Sequence, residues 1–213
     1  MIYYAYEEDR LADYLMHHGI EGQKWGVRNG PPYPLGPREK ADRLYKEMNG
    51  FEYGGIVNGK KITEPEYYDI DFGRDYRTIP LKVMKEAKIG NCWDMVNYQH
   101  AFFKKNGIKD HSFMVVMDLN DDGYKENVLT HTFSLFEDKD GLYWFEQAWW
   151  PMRGIRKVDS YSDVMNVFKE KNGDHSYFIS EYNPDGMDKE LTDKEFFDRA
   201  TQNTVEDYEK PSG

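Results

Sequence analysis

Three segments in the middle of this 213-residue chain read as strands: 113–119 and 128–136 alternate at period two, and 142–149 is rich in aromatic residues. Short connections join them, and Asp140-Gly141 marks the turn between the last two, so they read as antiparallel strands. Just upstream, residues 91–106 read as a helix. Asn91 is a good N-cap, and Asp94 lies three residues on, where a side chain reaches back to the cap. Lys104 and Lys105 fall in the last turn, and Gly107 closes it. Met95, Val96, Gln99, Phe102 and Phe103 share a face with Cys92. The fold class expected is α+β, a Cys-bearing helix packed on an antiparallel sheet, spanning residues 38–200.

Around that centre the pattern is uneven. Residues 38–50 read as a helix with Ala41, Leu44, Tyr45 and Met48 on one stripe, whereas 51–80, rich in Tyr, Gly and Asp, give no clear assignment. Residues 160–171 form an amphipathic helix with Val164, Val167 and Phe168 inward and Asn172-Gly173 as its stop. Residues 177–182 read as a strand, Thr192-Asp193-Lys194-Glu195 as a capping box opening a short helix, and 201–213 as a polar, mobile tail. At the other end, 1–28 form a separate N-terminal unit, with a short helix over 7–16 and then glycines at 19, 22 and 26 that favour turns. Residues 29–37, Asn-Gly-Pro-Pro-Tyr-Pro-Leu-Gly-Pro, make a Pro/Gly-rich linker, and the domain boundary falls there.

Composition narrows the function classes. With 28 Lys and Arg against 39 Asp and Glu, the net charge is −11, and such a surface repels phosphate backbones and anionic lipid, so neither nucleic acid nor a membrane is an expected partner. Hydrophobic residues at 39% and aromatics at 16% supply a core. A single Cys leaves no internal disulfide, which suits a reducing cytoplasm. The first residues lack the basic start and apolar run of a signal peptide, and no stretch is long and apolar enough to span a bilayer.

That single cysteine, Cys92, falls in the first turn of the 91–106 helix, where free N–H groups and the positive end of the macrodipole favour a thiolate. His131 follows on the second strand, sharing a face with Leu129, Phe133 and Leu135, and Glu146 on the third. A thiol, an imidazole and a carboxylate are the groups a cysteine nucleophile needs: one to attack, one to hold its proton, one to orient the base. Two hairpin registers keep Glu146 on the His131 face, one setting the pair directly opposite and the other four positions apart. A carboxylate between aromatic residues is costly without a partner, which itself favours a His131–Glu146 pair. The backbone N–H of Cys92 is the one oxyanion donor the sequence offers, and Trp93, Trp149 and Trp150 are candidates for cleft or core.

Other signals carry less. Asp118-Leu119-Asn120-Asp121-Asp122-Gly123 mimics the start of a calcium loop, but Leu129 stands where the bidentate Glu is needed, so it reads as a hairpin turn. His17 and His18 are adjacent and cannot share a helix face as paired ligands. His100 lies two turns from Cys92, and His111 and His175 read as surface residues. No metal site and no cofactor are expected.

Gly90-Asn91-Cys92-Trp93-Asp94, Thr130-His131-Thr132-Phe133 and Asp140-Gly141-Leu142-Tyr143-Trp144-Phe145-Glu146 together resemble the transglutaminase-like core of the papain-like cysteine enzymes. The likeness covers roughly residues 80–156 and extends to a bacterial and phage branch with similar Cys-Trp-Asp and Trp-Phe-Glu runs. It implies Cys92, His131 and Glu146 as a triad for acyl transfer on protein or peptide substrates, as a peptidase, an amidase or deamidase, or a transamidase. The family usually has Asp in the third position, and Glu146 is one methylene longer.

Residues 17–28 follow His-x-Gly-x-x-Gly-x-Lys-Trp-Gly-x-Arg and resemble a short segment recurring near one end of unrelated tailed-phage proteins. That likeness implies association with virion or head proteins, in the cytoplasm of a bacterial host cell or on the virion. The plainer reading is an arm that packs Trp25 on the main domain. An alternative for the whole chain is a non-enzymatic virion or cargo-associated protein with a degenerate enzyme fold, and a third is an effector acting on host proteins through the same three residues.

Overall fold

The structure, a computed structural model, describes residues 34–211. The readings of residues 1–28, of most of the 29–37 linker and of Trp25, His17 and His18 lie outside the described residues.

The first helix, α1 (Pro37–Met48), opens on proline, whose fixed φ suits a first helical position, and buries Ala41, Leu44 and Met48 at the expected three- and four-residue spacings. The segment 51–80, unassigned from sequence, folds as β1 (Glu52–Val57), β2 (Lys60–Thr63), a 3-10 turn (Glu66–Asp69) and the single-turn helix α2 (Phe72–Asp75). After α3 (Leu81–Ala87) comes the short β3 (Ile89–Gly90), which runs parallel to β1 and completes a three-stranded sheet of order β2-β1-β3. The cysteine helix α4 (Cys92–Lys105) follows at once.

The remaining strands are β4 (Asp110–Asp118), β5 (Val128–Asp138), β6 (Gly141–Glu146), β7 (Gly154–Val158), β8 (Ser176–Tyr182) and β9 (Thr204–Tyr208). They form one antiparallel sheet of order β7-β6-β5-β4-β8-β9. Helix α5 (Tyr161–Asn172) sits between β7 and β8 in sequence, and α6 (Asp193–Ala200) between β8 and β9. The class is therefore α+β, with the cysteine helix packed against β4 and β5.

Strand parity builds the layers. Odd residues Phe113, Val115, Met117, Phe133 and Leu135, with Trp144 of β6, meet Val164, Met165 and Phe168 of α5 on one face. Phe136, Tyr143 and Phe145, on the other face, meet Phe103 of α4 and Leu44 and Met48 of α1. Both faces of the sheet are covered, so its central strands are buried continuously rather than alternately, β4 from Ser112 to Asp118 and β5 from His131 to Phe136.

Three expectations need correction. The third strand does not reach Trp149: β6 ends at Glu146, and a separate strand, β7, follows a 3-10 turn at Trp150–Met152. Glu146 is the reason, since its Oε1 accepts the N–H groups of Ala148 and Trp149, both at 2.9 Å, and curls the chain away from β5. The segment read as a polar tail contains β9, which pairs with β8 and stacks Tyr208 on Tyr177 at 5.2 Å. The hairpin register is neither of the two expected. Ser134 pairs with Phe145, so one step on Glu146 stands level with Phe133 and diagonal to His131.

Candidate active site

The site begins with the cap of α4. Asn91 is its N-cap, and the Asn91 side-chain oxygen accepts the Asp94 N–H at 3.1 Å, while Asp94 Oδ2 accepts the Asn91 N–H at 3.3 Å. The unassigned segment then buttresses this cap. Tyr76 donates its hydroxyl to Asn91 Oδ1 at 3.2 Å, and Asn91 Nδ2 donates to the Tyr67 hydroxyl at 2.9 Å. The Ile79 N–H donates to Asp94 Oδ1 at 2.7 Å. Gly90 has no room for a side chain, since a Cβ there would stand 2.8 Å from the Met84 methyl and 2.9 Å from the Asp94 Cβ. Asp94 is fully buried, and burial raises its pKa to about 7 against the pull of the N–H groups it accepts. It works as a cap, as the sequence suggests.

His131 reaches the thiol because β5 outruns β6. Residues 128–132 of β5 have no partner on the β6 side, and there the imidazole, at the exposed end of its strand face, lies beside Cys92. His131 Nε2 is 3.0 Å from Glu146 Oε2, which leaves Nδ1 as the nitrogen for the thiol. The Glu146 carboxylate is 2% exposed and fully engaged, by His131 on one oxygen and by the Ala148 and Trp149 amides on the other. The His131 ring packs against Phe168, 5.3 Å away, and Trp149, 6.1 Å away, which stack on each other at 4.6 Å.

The electrostatics follow from these contacts. Burial pushes the Cys92 thiol up, but the neighbouring imidazole and the Thr132 backbone N–H outweigh it, and the net shift is downward. Burial opposes charge on His131, but the Glu146 carboxylate and the Cys92 sulfur more than compensate, and its pKa rises to about 10. Both shifts favour the charged forms, the thiolate on Cys92 and the imidazolium on His131. Such an arrangement can attack an electrophilic carbonyl and hand a proton to a leaving group.

Cys92 and His131 open onto a cleft of about 740 Å³. Trp93, Trp149 and Trp150 all line it, as do Tyr53, Tyr67, Tyr68 and Phe72 from the segment the sequence left unassigned. Its one visible signal was aromatic density. Tyr53 stands next to the sulfur: burial, then the Cys92 charge, raises its hydroxyl far above the ordinary range, so it stays protonated and a donor. Trp93 stacks on Phe196 of α6 at 4.3 Å and 8°, which fixes that wall.

The other sequence candidates lie elsewhere. Asp118 accepts the N–H groups of Asn120, Gly123 and Tyr124, organising the β4–β5 loop as a hairpin turn. His100 sits between Asp110 and Asp185, His111 between Glu181 and Glu137, and His175 on Asp121. Among the described residues no three His, Cys, Asp or Glu side chains converge as a metal site, and no helix is long and apolar enough to cross a membrane. The sequence matches no protein-family model and no curated protein.

Proposed function

We propose that this protein is a cysteine-dependent acyl-transfer enzyme of transglutaminase-like architecture, acting on a carboxamide or peptide carbonyl of a protein or peptide. The observation that carries the reading is the line Cys92–His131–Glu146, in which the carboxylate is locked by two backbone amides and the imidazole by the carboxylate. The thiolate of Cys92 attacks the carbonyl carbon, forming a C–S bond. The oxyanion so created is met by the free N–H of Cys92 in the first helical turn and by the Tyr53 hydroxyl. His131 gives its Nδ1 proton to the departing nitrogen as the C–N bond breaks, leaving a thioester. Water or an amine, deprotonated by the now neutral imidazole, resolves it. The longer Glu146 supports this geometry, because its extra methylene lets one carboxylate reach both His131 and the amides of its own turn.

Incubation with β-casein, with and without a fluorescent primary amine, separates the branches. New N-termini mark a peptidase, ammonia release without amine incorporation a deamidase, and incorporation a transamidase, each abolished by Cys92→Ala. A wild-type protein giving none of these, with a thiol of ordinary reactivity, would favour the non-enzymatic alternative, which draws no support from a site so completely paired. For residues 17–28 we propose virion or head-protein association, tested by deleting 1–28 and measuring particle association with thiol chemistry intact.

A further inference from the structure

The large sheet has one stretch of open edge inside the cleft. An antiparallel strand points alternate residues' backbone groups at its two neighbours. On β5, Glu137 donates its N–H to the Lys109 carbonyl, and just before the strand Asn127 gives its carbonyl to the Leu119 N–H, so odd residues face the β4 side. Even residues therefore face β6, and β6 is present only as far as Phe145, opposite Ser134. Thr132 sets its N–H near the Cys92 sulfur, where it favours the thiolate. The N–H and C=O of Thr130 and Val128 are left with no strand partner among the described residues, and both residues line the cleft.

The mouth above this edge is aromatic. Trp150 is 74% exposed and Tyr68 is 61% exposed, the two most exposed large hydrophobic residues described, and both belong to the cleft lining, as does half-exposed Val128. Tyr68 and Trp150 come from the two 3-10 turns, one before and one after the Cys92 helix and the His131 strand in sequence. Exposed aromatic rings gathered at one opening mark a binding surface rather than scattered exposure.

We infer that the cleft takes its substrate as an extended polypeptide, which adds as a strand to the free edge of β5 at Val128–Thr130, is held between Tyr68 and Trp150, and is thereby drawn past Cys92. The inference rests on the acyl-transfer reading for its purpose but not for its geometry. A strand offers N–H and C=O groups at the same alternating spacing as the open edge, a match that the repeat of a sugar chain does not make. A disordered segment or chain terminus fits this site, and a residue inside a folded helix does not.

The test uses Cys92→Ala protein and two immobilised libraries of N-acetylated, C-amidated octapeptides, one with natural backbones and one N-methylated at alternate residues. Retention of the natural library at least about tenfold above the N-methylated one is expected. Trp150→Ala and Tyr68→Ala, both at exposed positions, should each lower retention several-fold with unchanged melting. Equal retention of both libraries, retention of neither, or preference for an oligosaccharide array would overturn the inference. Iodoacetamide reactivity of the wild-type thiol is read in parallel. Peptide binding with an ordinary thiol removes the acyl-transfer reading and leaves the strand site, whereas an activated thiol with no peptide retention does the reverse.

Discussion

A carboxylate buried among aromatic side chains costs several kcal/mol unless its oxygens are engaged, and Glu146 is engaged on both by His131 and two backbone amides. Glu146→Ala strands those amides and the imidazole together, and a loss of about 3 kcal/mol in denaturant unfolding is expected. Glu146→Gln keeps an acceptor for the amides but turns an NH₂ group toward His131, forcing the neutral tautomer with its proton on Nδ1, against the thiol. Stability should then change little while thiol reactivity near pH 6.5 falls at least about tenfold. Asp94 gives a separate pH signature. Its folded pKa of about 7 lies above the unfolded carboxylate value, so between about pH 4 and pH 7 the folded chain holds a proton the unfolded chain has lost, and stability falls as pH rises. Relative to Asp94→Asn, which cannot titrate, wild type should lose roughly 4 kcal/mol across that window. A pH-independent difference between the two would show that Asp94 is not held in this state.

At the scale of elements, the start of α4 is where local sequence and tertiary packing agree. Asn91 and Asp94 specify the cap by themselves, and the fold adds Tyr67, Tyr76 and Ile79 around it. Gly90→Ala should cost about 1–3 kcal/mol, because the new methyl meets Met84 and Asp94 below 3.0 Å and must push the cap aside; a neutral result in thermal unfolding would mean the strand-to-helix corner is looser than its packing indicates. Such local signals were legible: the cap, the alternation of β5, the stop at Gly173 and the capping box at Thr192 each rest on residues within a few positions. The end of β6 was not, because an aromatic run through Trp149 reads as strand, and the turn comes from Glu146 folding its carboxylate back onto the Ala148 and Trp149 amides while it also holds His131. Segment 51–80 was illegible for a related reason. Its order comes from distant partners, Asn91 on Tyr67 and Leu191 on Thr78, that no local pattern reveals.

At the scale of the described residues, the sheet with helices on both faces explains why an acidic, strongly polar sequence still buries its single cysteine. The last strand belongs to that framework. Removing residues 203–213 deletes β9 and the Tyr208 ring from Tyr177, and a loss of about 2 kcal/mol, near 5 °C in melting temperature, is expected for a domain of this size; a mobile tail could be removed with no change. The parts converge on one claim, that the fold holds Cys92 as a thiolate through His131 and Glu146. Its most direct test is the rate of Cys92 alkylation by iodoacetamide across pH in wild type, His131→Ala and Glu146→Gln. A plateau beginning below the free-thiol pKa of about 8.5, steady until His131 loses its proton near pH 10 and absent in His131→Ala, is the predicted result. A rate that rises only around pH 8.5, or a thiol equally inert in all three proteins, would contradict it.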